Sequence, residues 1–573
     1  MGDISETGTL LSQQTLHRLF QIAVALSAEQ NIDTLLENIV QAGMDLCRAD
    51  GGTLYLIDED TKQLKFSIMQ NNSLGIKMGG TSDREINFPP LYLYDPETNA
   101  PNYKNVATHC VLADEIINVK DAYATDKFDF SGTQKFDESS GYHSQSFLTL
   151  PLKTRSGETI AVLQLINAQS PETNEVTYFT KEDEIILEAL GSYAAVAIDN
   201  QLMVNAQRNL LESFLAVLAQ TIDEKSVYLG GHCQQVPAIA RMLAMAADSD
   251  DGAFKDFSMS EDDWYAFHLA CWLHDCGRIT IPTYLQEKTS KLQTVYNRIH
   301  EIRQRFEILR RDAHIEYLKK RLANKNSPEA LLNEFSLKTK ELNEDFAFLA
   351  ECNLGDKPMT DEDEARLEKI ARLTYHRYFD KTAGLSPMEM KNFENNPPPP
   401  ENPREPVLQD APEMISAEYN NGEIHALSVK DGVLTAEEQK RLDAHVVTTV
   451  KMLEAISFPK KLKNIVEYAG CHHEKVDGTG FPNGLTRDEM SVPARILAIA
   501  DYYELLSATN RPHQKFRKLR EIIAIMSEQA RGGALDPDLF NLFLTSGVYK
   551  EYADQYLDAA QLEDVPVNEF LVK

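Results

Sequence analysis

The stretch from Thr180 to Lys225 contains no proline, and Leu211, Leu215, Leu218 and Ile222 recur in it at spacings of 4, 3 and 4. A run of that length without a breaker reads as one long helix, with a narrow apolar seam suited to pairing with a second copy of itself. It divides the chain into parts of different character. Before it, residues 12–48 carry helical periodicity. Short β-rich runs follow at 53–57, 64–68, 115–119, 146–152 and 159–166. That pattern predicts a mixed α/β domain, with Ser156 and Gly157 turning the last two runs into antiparallel neighbours. After residue 226 the chain reads almost wholly helical. Amphipathic stretches at Ile299, Ile302, Phe306, Leu309 and at Phe335, Leu342, Phe346, Leu349, broken at 324–328, predict a helical hairpin. The segment PPPPENPREP at 397–406 excludes helix and central strand and reads as an extended surface linker.

Composition narrows the function classes. At 573 residues the chain exceeds one ordinary core, so it calls for two or three domains. No apolar run is long enough for a membrane span and no secretory signal is readable, so the reading is a cytoplasmic protein. The seven cysteines are scattered without a C-x-x-C pair and read as reduced thiols. A net charge of −31 speaks against polymeric nucleic acid and anionic membrane as partners. A small phosphate substrate requires a metal or local cations to reverse that field at one pocket.

The chemistry-bearing residues lie in the second half. His274 and Asp275 end an apolar helical run, His445 sits on a polar helix, and His472 and His473 are followed by Glu474. Asp501 lies inside the apolar run RILAIADYYELL, and His232 stands upstream. A carboxylate inside an apolar helix needs a cation or several donors. Taken together, this set of imidazoles and carboxylates suits Fe, Mn or Zn. One bridging carboxylate would hold two ions about 3.5–4 Å apart, a geometry for in-line phosphodiester hydrolysis. The glycine-rich loop DGTGFPNG at 477–484 permits close backbone approach to a ligand.

HDCGRITIP (274–282), HHEKVDGTGFP (472–482) and the ARILAIADYYELL run before NRPH (510–513) resemble, in order, the HD-GYP phosphodiesterases of the HD superfamily, over about residues 215–545. The resemblance implies an all-α HD-type bundle that opens cyclic di-GMP or a related cyclic dinucleotide with two divalent transition metals, Fe or Mn. It implies His232, His274, Asp275 and Asp501 as ligands of one metal. Asp275 would bridge to a second metal completed by His445, His472 and His473. Members with a third metal use a glutamate where this chain has Tyr228, so two metals are expected. The family triplet appears as Gly480, Phe481 and Pro482. Arg278 stands where the family has lysine and is expected to contact phosphate and act at the reacting centre beside Asp275, although an arginine is a poor proton donor. Arg511 is expected on a phosphate, while Gln514 replaces a basic residue. Glu474 is expected to orient a metal-bound imidazole. The alternative is a weak or inactive receptor that binds the dinucleotide and signals through its helical insertion.

Residues 17–203 resemble a GAF domain through ADGGTLYLIDED, KFDESSGYHSQSFLTLPL and VLQLINA followed by FTKEDE. Asn167, Phe179, Asp183 and Glu184 match the signature of cyclic-nucleotide-binding members, with Ala168 in the lysine position. A cyclic nucleotide or another small ligand is expected there. The organisation expected is a tail (1–16), a GAF-like sensor (17–203), a connecting helix (204–225), and a helical insertion with a Pro-rich linker (292–430) between the two HD-GYP parts (226–291 and 431–573). A homodimer paired along the helix is expected, with that helix coupling sensor to enzyme.

Overall fold

The computed structural model describes residues 13–225, 231–323, 327–393, 403–410, 421–509 and 516–573. The chain divides into two compact units, Met1–Leu211 and Glu212–Lys573, with the boundary inside one continuous helix.

The first unit runs α1 (Gln13–Ala28), α2 (Ile32–Cys47), β1 (Ala49–Asp58), β2 (Gln63–Asn71), β3 (Ile76–Gly79), β4 (Leu91–Tyr92), α3 (Val106–Ala113), β5 (Ile117–Val119), α4 (Ser131–Ser140), β6 (Phe147–Lys153), β7 (Thr159–Gln169), β8 (Val176–Thr177) and the start of α5 (Lys181–Lys225). Its strands form one antiparallel sheet in the order β3-β2-β1-β7-β6-β5, with β4 on β2 and β8 on β7. The predicted hairpin is β6 and β7, where Leu148 faces Leu165 and Leu150 faces Leu163. Strand alternation sorts two cores. Leu54, Leu148, Leu150, Leu163 and Leu165 pack with α2 and the first turns of α5, while Tyr55, Phe147 and Val162 pack with α3 on the opposite face. On that second face a cavity of about 330 Å³ lies between the sheet and α4.

The second unit continues from α5 through α6 (His232–Asp248), α7 (Glu261–Leu273), a 3-10 turn at Cys276–Thr280 and α8 (Thr283–Gln286). A second core follows in α9 (Ile299–Leu322), α10 (Pro328–Leu354), α11 (Asp361–Ala371), β9 (Thr374–His376), α12 (Pro387–Met390), β10 (Arg404–Pro406) and α13 (Glu423–Leu427). The helical bundle then resumes with α14 (Ala436–Glu454), α15 (Ile465–Gly470), α16 (Val492–Ser507), α17 (Leu519–Arg531), α18 (Pro537–Thr545), α19 (Val548–Tyr556) and α20 (Val567–Phe570).

The hairpin of α9 and α10 is antiparallel, since Phe306 meets Phe346 near one end and Tyr317 meets Phe335 near the other. Ser327 caps α10 by accepting the Ala330 N–H, with Pro328 at its first position. Glu423, fully buried, closes this region: it accepts from Arg298 at 2.9 Å, Arg305 at 2.7 Å and the Gln409 N–H at 2.8 Å. A buried carboxylate so enclosed recovers its desolvation cost, and removing the cations would leave it exposed to that cost. Of the proline-rich segment, residues 397–402 lie outside the described residues. Its end forms β10, which pairs only with β9 in a two-stranded ribbon, as an edge position requires.

The long helix is present, but its faces differ from expectation. Leu215 and Ile222 of the expected pairing seam are buried in the single chain together with Ala219. The face left open carries Leu210, Phe214 and Val217, each more than half exposed. Spacing alone shows that a seam exists; which neighbour covers it is a matter of packing.

Candidate metal centre

Six segments deliver the site. His232 is the first residue of α6, entered through Gly231 at φ 92. His274 closes α7, and Asp275 follows at the start of the 3-10 turn. His445 projects from the middle of α14, His472 and His473 follow the end of α15, and Asp501 lies mid-helix in α16. The 3-10 turn can lie against α14 only because residue 277 is glycine: a Cβ there would stand 2.0 Å from the His445 carbonyl oxygen and 2.7 Å from the Thr449 nitrogen. The Gly277 N–H donates to Thr449 Oγ1 at 2.9 Å, fixing the turn on the helix.

The seven predicted residues converge, all buried except the partly exposed His473, and Asp275 stands at their middle. Its Oδ2 lies 2.9 Å from His232 Nε2 and 3.5 Å from His274 Nε2, while its Oδ1 lies 3.2 Å from His445 Nε2 and 3.7 Å from His472 Nε2. Asp501 Oδ1 completes the first side at 3.4 Å from His232 and 3.7 Å from His274. Two groups emerge, His232/His274/Asp275/Asp501 and His445/His472/His473, each with ligand atoms within 4.8 Å of one another.

The backbone selects the atoms. His274, His445 and His472 each direct Nδ1 at the carbonyl three residues earlier, on Cys271 (2.8 Å), Leu442 (2.6 Å) and Ala469 (2.7 Å). An Nδ1–H donated there leaves Nε2 as a lone pair facing inward. His232 places Nδ1 2.5 Å from Glu504 Oε2. Five inward atoms, Asp275 Oδ1, Asp501 Oδ1 and the Nε2 atoms of His445, His472 and His473, are buried without a hydrogen-bond partner. Bare buried acceptors of this kind are costly, at about 1–3 kcal/mol each. A convergent set of nitrogen and carboxylate oxygen acceptors is what a divalent transition metal satisfies. The residues therefore fit a divalent metal.

The protonation states of the carboxylates and of the 472/473 pair favour the same use. Burial, reinforced by the neighbouring imidazoles, pushes His472 well below the ordinary histidine range, and burial takes His473 to about 4. Burial would raise the Asp275 and Asp501 carboxyls, but Arg278 and His274 at the first and the surrounding imidazoles at the second hold both far below the usual range. For His232, burial opposes charge while Glu504 and Asp275 outweigh it and raise the group to about 9. Near neutrality the carboxylates are anionic and the 472/473 pair offers free lone pairs, whereas His232 carries a proton that a bound cation would have to displace.

Two residues depart from their expected roles. Arg278 turns inward, with Nε 2.7 Å from Asp275 Oδ2 but off the N–H direction, so the contact is ionic. Glu474 orients no imidazole: its oxygens accept the Asn483 N–H at 2.7 Å and the Leu485 N–H at 3.0 Å, holding the glycine-rich loop. A Cβ at Gly480 would meet the Lys475 nitrogen at 2.2 Å, so the loop folds back onto the backbone that follows the histidine pair. Phe481 there stacks on His473 at 4.9 Å and 16°, and its N–H donates to the His473 carbonyl, with Pro482 next in the loop. The residue that orients an imidazole is Glu504, which the sequence reading missed. Its signal was available: it follows Asp501 by three on the same helix, so both acids share one face of an apolar segment. Arg511, Gln514 and Tyr228 lie outside the described residues.

The last turn of α5 reaches the same elements. Lys225 Nζ donates to the carbonyls of Arg278 (3.4 Å), Ile279 and Ile281 (2.7 Å). Asp223 accepts the Gly231 N–H at 3.2 Å and hydrogen-bonds Cys233, on either side of His232.

In the first unit the four signature residues serve the fold. Asn167, at φ 57, accepts from the Gln145 and Ser146 N–H groups at 2.7 and 3.2 Å and donates to the His143 carbonyl at 2.8 Å. Phe179 is buried in the core. Asp183 caps α5 through Thr180, and Glu184 accepts from Asn118 at 2.9 Å. None of them lines the cavity beside α4, so a ligand there would not touch them.

A GAF domain family model matches residues 31–198 and an HD domain model matches residues 409–539. The HD match contains His445, His472, His473 and Asp501; His232, His274 and Asp275 join them only through folding. Similar proteins include 3'3'-cGAMP-specific phosphodiesterase 3 of Vibrio cholerae, 37% identical over 119 residues, 21% of this chain and 25% of that protein. A cyclic di-GMP phosphodiesterase of Pseudomonas aeruginosa is 32% identical over 134 residues, 23% of this chain and 31% of its own length. The chain thus spans about a quarter to a third of these relatives. Among solved structures, the GAF domain/HD domain protein from Geobacter sulfurreducens aligns with 32% of this chain and 98% of its own, at 13% identity and TM-score 0.22. No helix among the described residues is long and apolar enough to cross a membrane. The chain combines a GAF domain at residues 31–198 with an HD domain at residues 409–539.

Proposed function

We propose that this chain is a metal-dependent phosphodiesterase that hydrolyses a cyclic dinucleotide, with cyclic di-GMP and 3'3'-cGAMP as the candidate substrates. The observation that carries the reading is the division of the two Asp275 oxygens between two imidazole groups, with five inward atoms left unpartnered. The substrate class is drawn from the names of the relatives. Two divalent cations held by His232, His274, Asp275 and Asp501 and by Asp275, His445, His472 and His473 would supply an activated water and neutralise the phosphodiester. The carbonyl-anchored imidazoles and Glu504 hold the ligand atoms in place. Phe481, stacked on His473, offers an aromatic edge at the mouth. Arg278 and Arg511 are the cations assigned to substrate phosphate.

Residues 17–203 are proposed as the sensor, 204–225 as the connecting helix, 226–291 and 431–573 as the enzyme and 292–430 as its insertion. A shift of α5 would act on the site through Asp223 and Lys225. For the homodimer, the open face of α5 replaces the expected seam. Tyr193, Val196, Asn200, Met203, Gln207, Leu210, Phe214 and Val217 follow 3-4 spacing and are all exposed, and the polar Asn200 and Gln207 would fix the register of a parallel copy.

The receptor reading has one observation in its favour, the contact of Arg278 Nε with Asp275, which engages part of that guanidinium away from phosphate. Turnover of cyclic di-GMP and 3'3'-cGAMP with Mn²⁺ or Fe²⁺ separates the two. Linear dinucleotide or mononucleotide product is expected; tight binding without product would assign the receptor role. Light scattering on the same sample should give a dimer that Leu210→Glu converts to monomer, and a monomeric parent would remove the pairing.

A further inference from the structure

Two neighbouring threonines on α14 use their hydroxyls differently. Thr448 donates to the Ala444 carbonyl at 3.0 Å, a local bond within its own helix. Thr449, fully buried, turns to another segment and accepts the Gly277 N–H on its Oγ1 at 2.9 Å. The Cys276 thiol meets the same hydroxyl. Thr449 follows His445 by four residues, so the two side chains lie on one face of α14 and face the same 3-10 turn.

That turn is closed by bonds of its own. The Arg278 N–H donates to the Asp275 carbonyl at 2.9 Å, the Ile281 N–H to the Arg278 carbonyl at 3.1 Å, and the Thr280 hydroxyl to the Gly277 carbonyl at 2.8 Å. Asp275 is thereby tied to Gly277 through a short hydrogen-bonded ring, and whatever holds Gly277 also holds Asp275. The Gly277 N–H is buried and requires an acceptor, which Thr449 supplies.

The imidazole on the other side is fixed separately. His445 Nδ1 is anchored on the Leu442 carbonyl at 2.6 Å, so the place of its ring follows α14. The 3.2 Å between its Nε2 and Asp275 Oδ1 is then set by how closely the turn approaches the helix. Contact is tightest at Gly277, where a Cβ would stand 2.7 Å from the Thr449 nitrogen and 2.8 Å from its Oγ1. His232, His274 and Asp501 are carried by α6, the end of α7 and α16, away from this contact.

We propose that Thr449 is a positioning residue of the metal centre: its hydroxyl holds Gly277 and so sets the reach of Asp275 Oδ1 to the group formed by His445, His472 and His473. This rests on the hydrolase reading, since it concerns the second of the two ions proposed there.

Thr449→Val exchanges the hydroxyl for a methyl and keeps the β-branch, so α14 retains its helical preference while the Gly277 N–H loses its acceptor. Titrating the Mn²⁺-loaded full-length protein with a chelator reads the ions one by one. The parent should hold two. In Thr449→Val one of them should be held about tenfold or more weakly, the one that His445→Ala also releases, while the other keeps its parental affinity. Thr449→Ser retains the hydroxyl and should hold both as the parent does. Thr449→Ala, which leaves room for a water on the Gly277 N–H, should fold even where the valine variant does not and show the same selective weakening. Both ions held normally without the hydroxyl, both weakened alike, or a serine variant no better than the valine one would each overturn the inference and leave the two-metal reading standing. A parent that binds fewer than two ions would overturn both together.

Discussion

Asn167 in the first unit and Asp275 in the second are both buried polar residues drawn from recognisable motifs, and their surroundings are opposite. The Asn167 carboxamide is satisfied within its own unit, with two backbone N–H groups on its oxygen and a carbonyl on its nitrogen. Asp275 Oδ1 is buried without a hydrogen-bond partner, and the Nε2 atoms of His445, His472 and His473 are in the same state. A satisfied buried group stabilises the fold that contains it. A set of unsatisfied ones pointing at one volume is a cost that folding alone does not offset, and so marks a place where something else binds. The same motif-level evidence therefore means structure in one unit and chemistry in the other.

The comparison breaks most directly at Asp275. Replacement by alanine removes the proposed shared ligand, so metal content should fall from the proposed two ions per chain to fewer than one, and turnover by at least about a thousandfold. Metal analysis beside a product assay reads both, and retained stoichiometry would show that the residue bridges nothing. Glu504 sharpens the contrast, since it acts through His232. Glu504→Gln keeps the shape but removes the charge opposite Nδ1, and metal affinity should weaken by about 10- to 100-fold with the fold intact. Competition with a chelator measures it; an unchanged affinity would make Glu504 a packing residue. The smallest effect on the site is expected from the satisfied member of the pair. Asn167→Ala leaves two backbone donors unpaired, so it should cost the first unit about 1–3 kcal/mol of stability while metal content stays the same. Calorimetry and metal analysis on one sample decide it, and loss of metal would contradict the division between the units.

Much of the element structure was legible. The β6–β7 hairpin followed from alternation around a glycine turn, and the breaker-free run became α5. His274, Asp275 and the 472/473 pair were visible because each sits at a helix end within a few residues of its motif. Glu504 was readable as a second acid on the Asp501 face, yet a carboxylate three residues from another gives no sign of which imidazole it will meet. Arg278 was assigned to phosphate from its position in a motif, and its turn toward Asp275 depends on the 3-10 geometry that follows α7.

The amino-acid sequence by itself determined the element types, the long helix and the identities of the candidate site side chains, because periodicity, breakers and residue chemistry act over short spans. Only the tertiary structure decided which Asp275 oxygen faces which imidazole, which seam of α5 is covered and which polar atoms are left without partners. Those outcomes depend on the approach of segments far apart in the chain, such as Gly277 against the His445 carbonyl, where the absence of a single Cβ sets the distance.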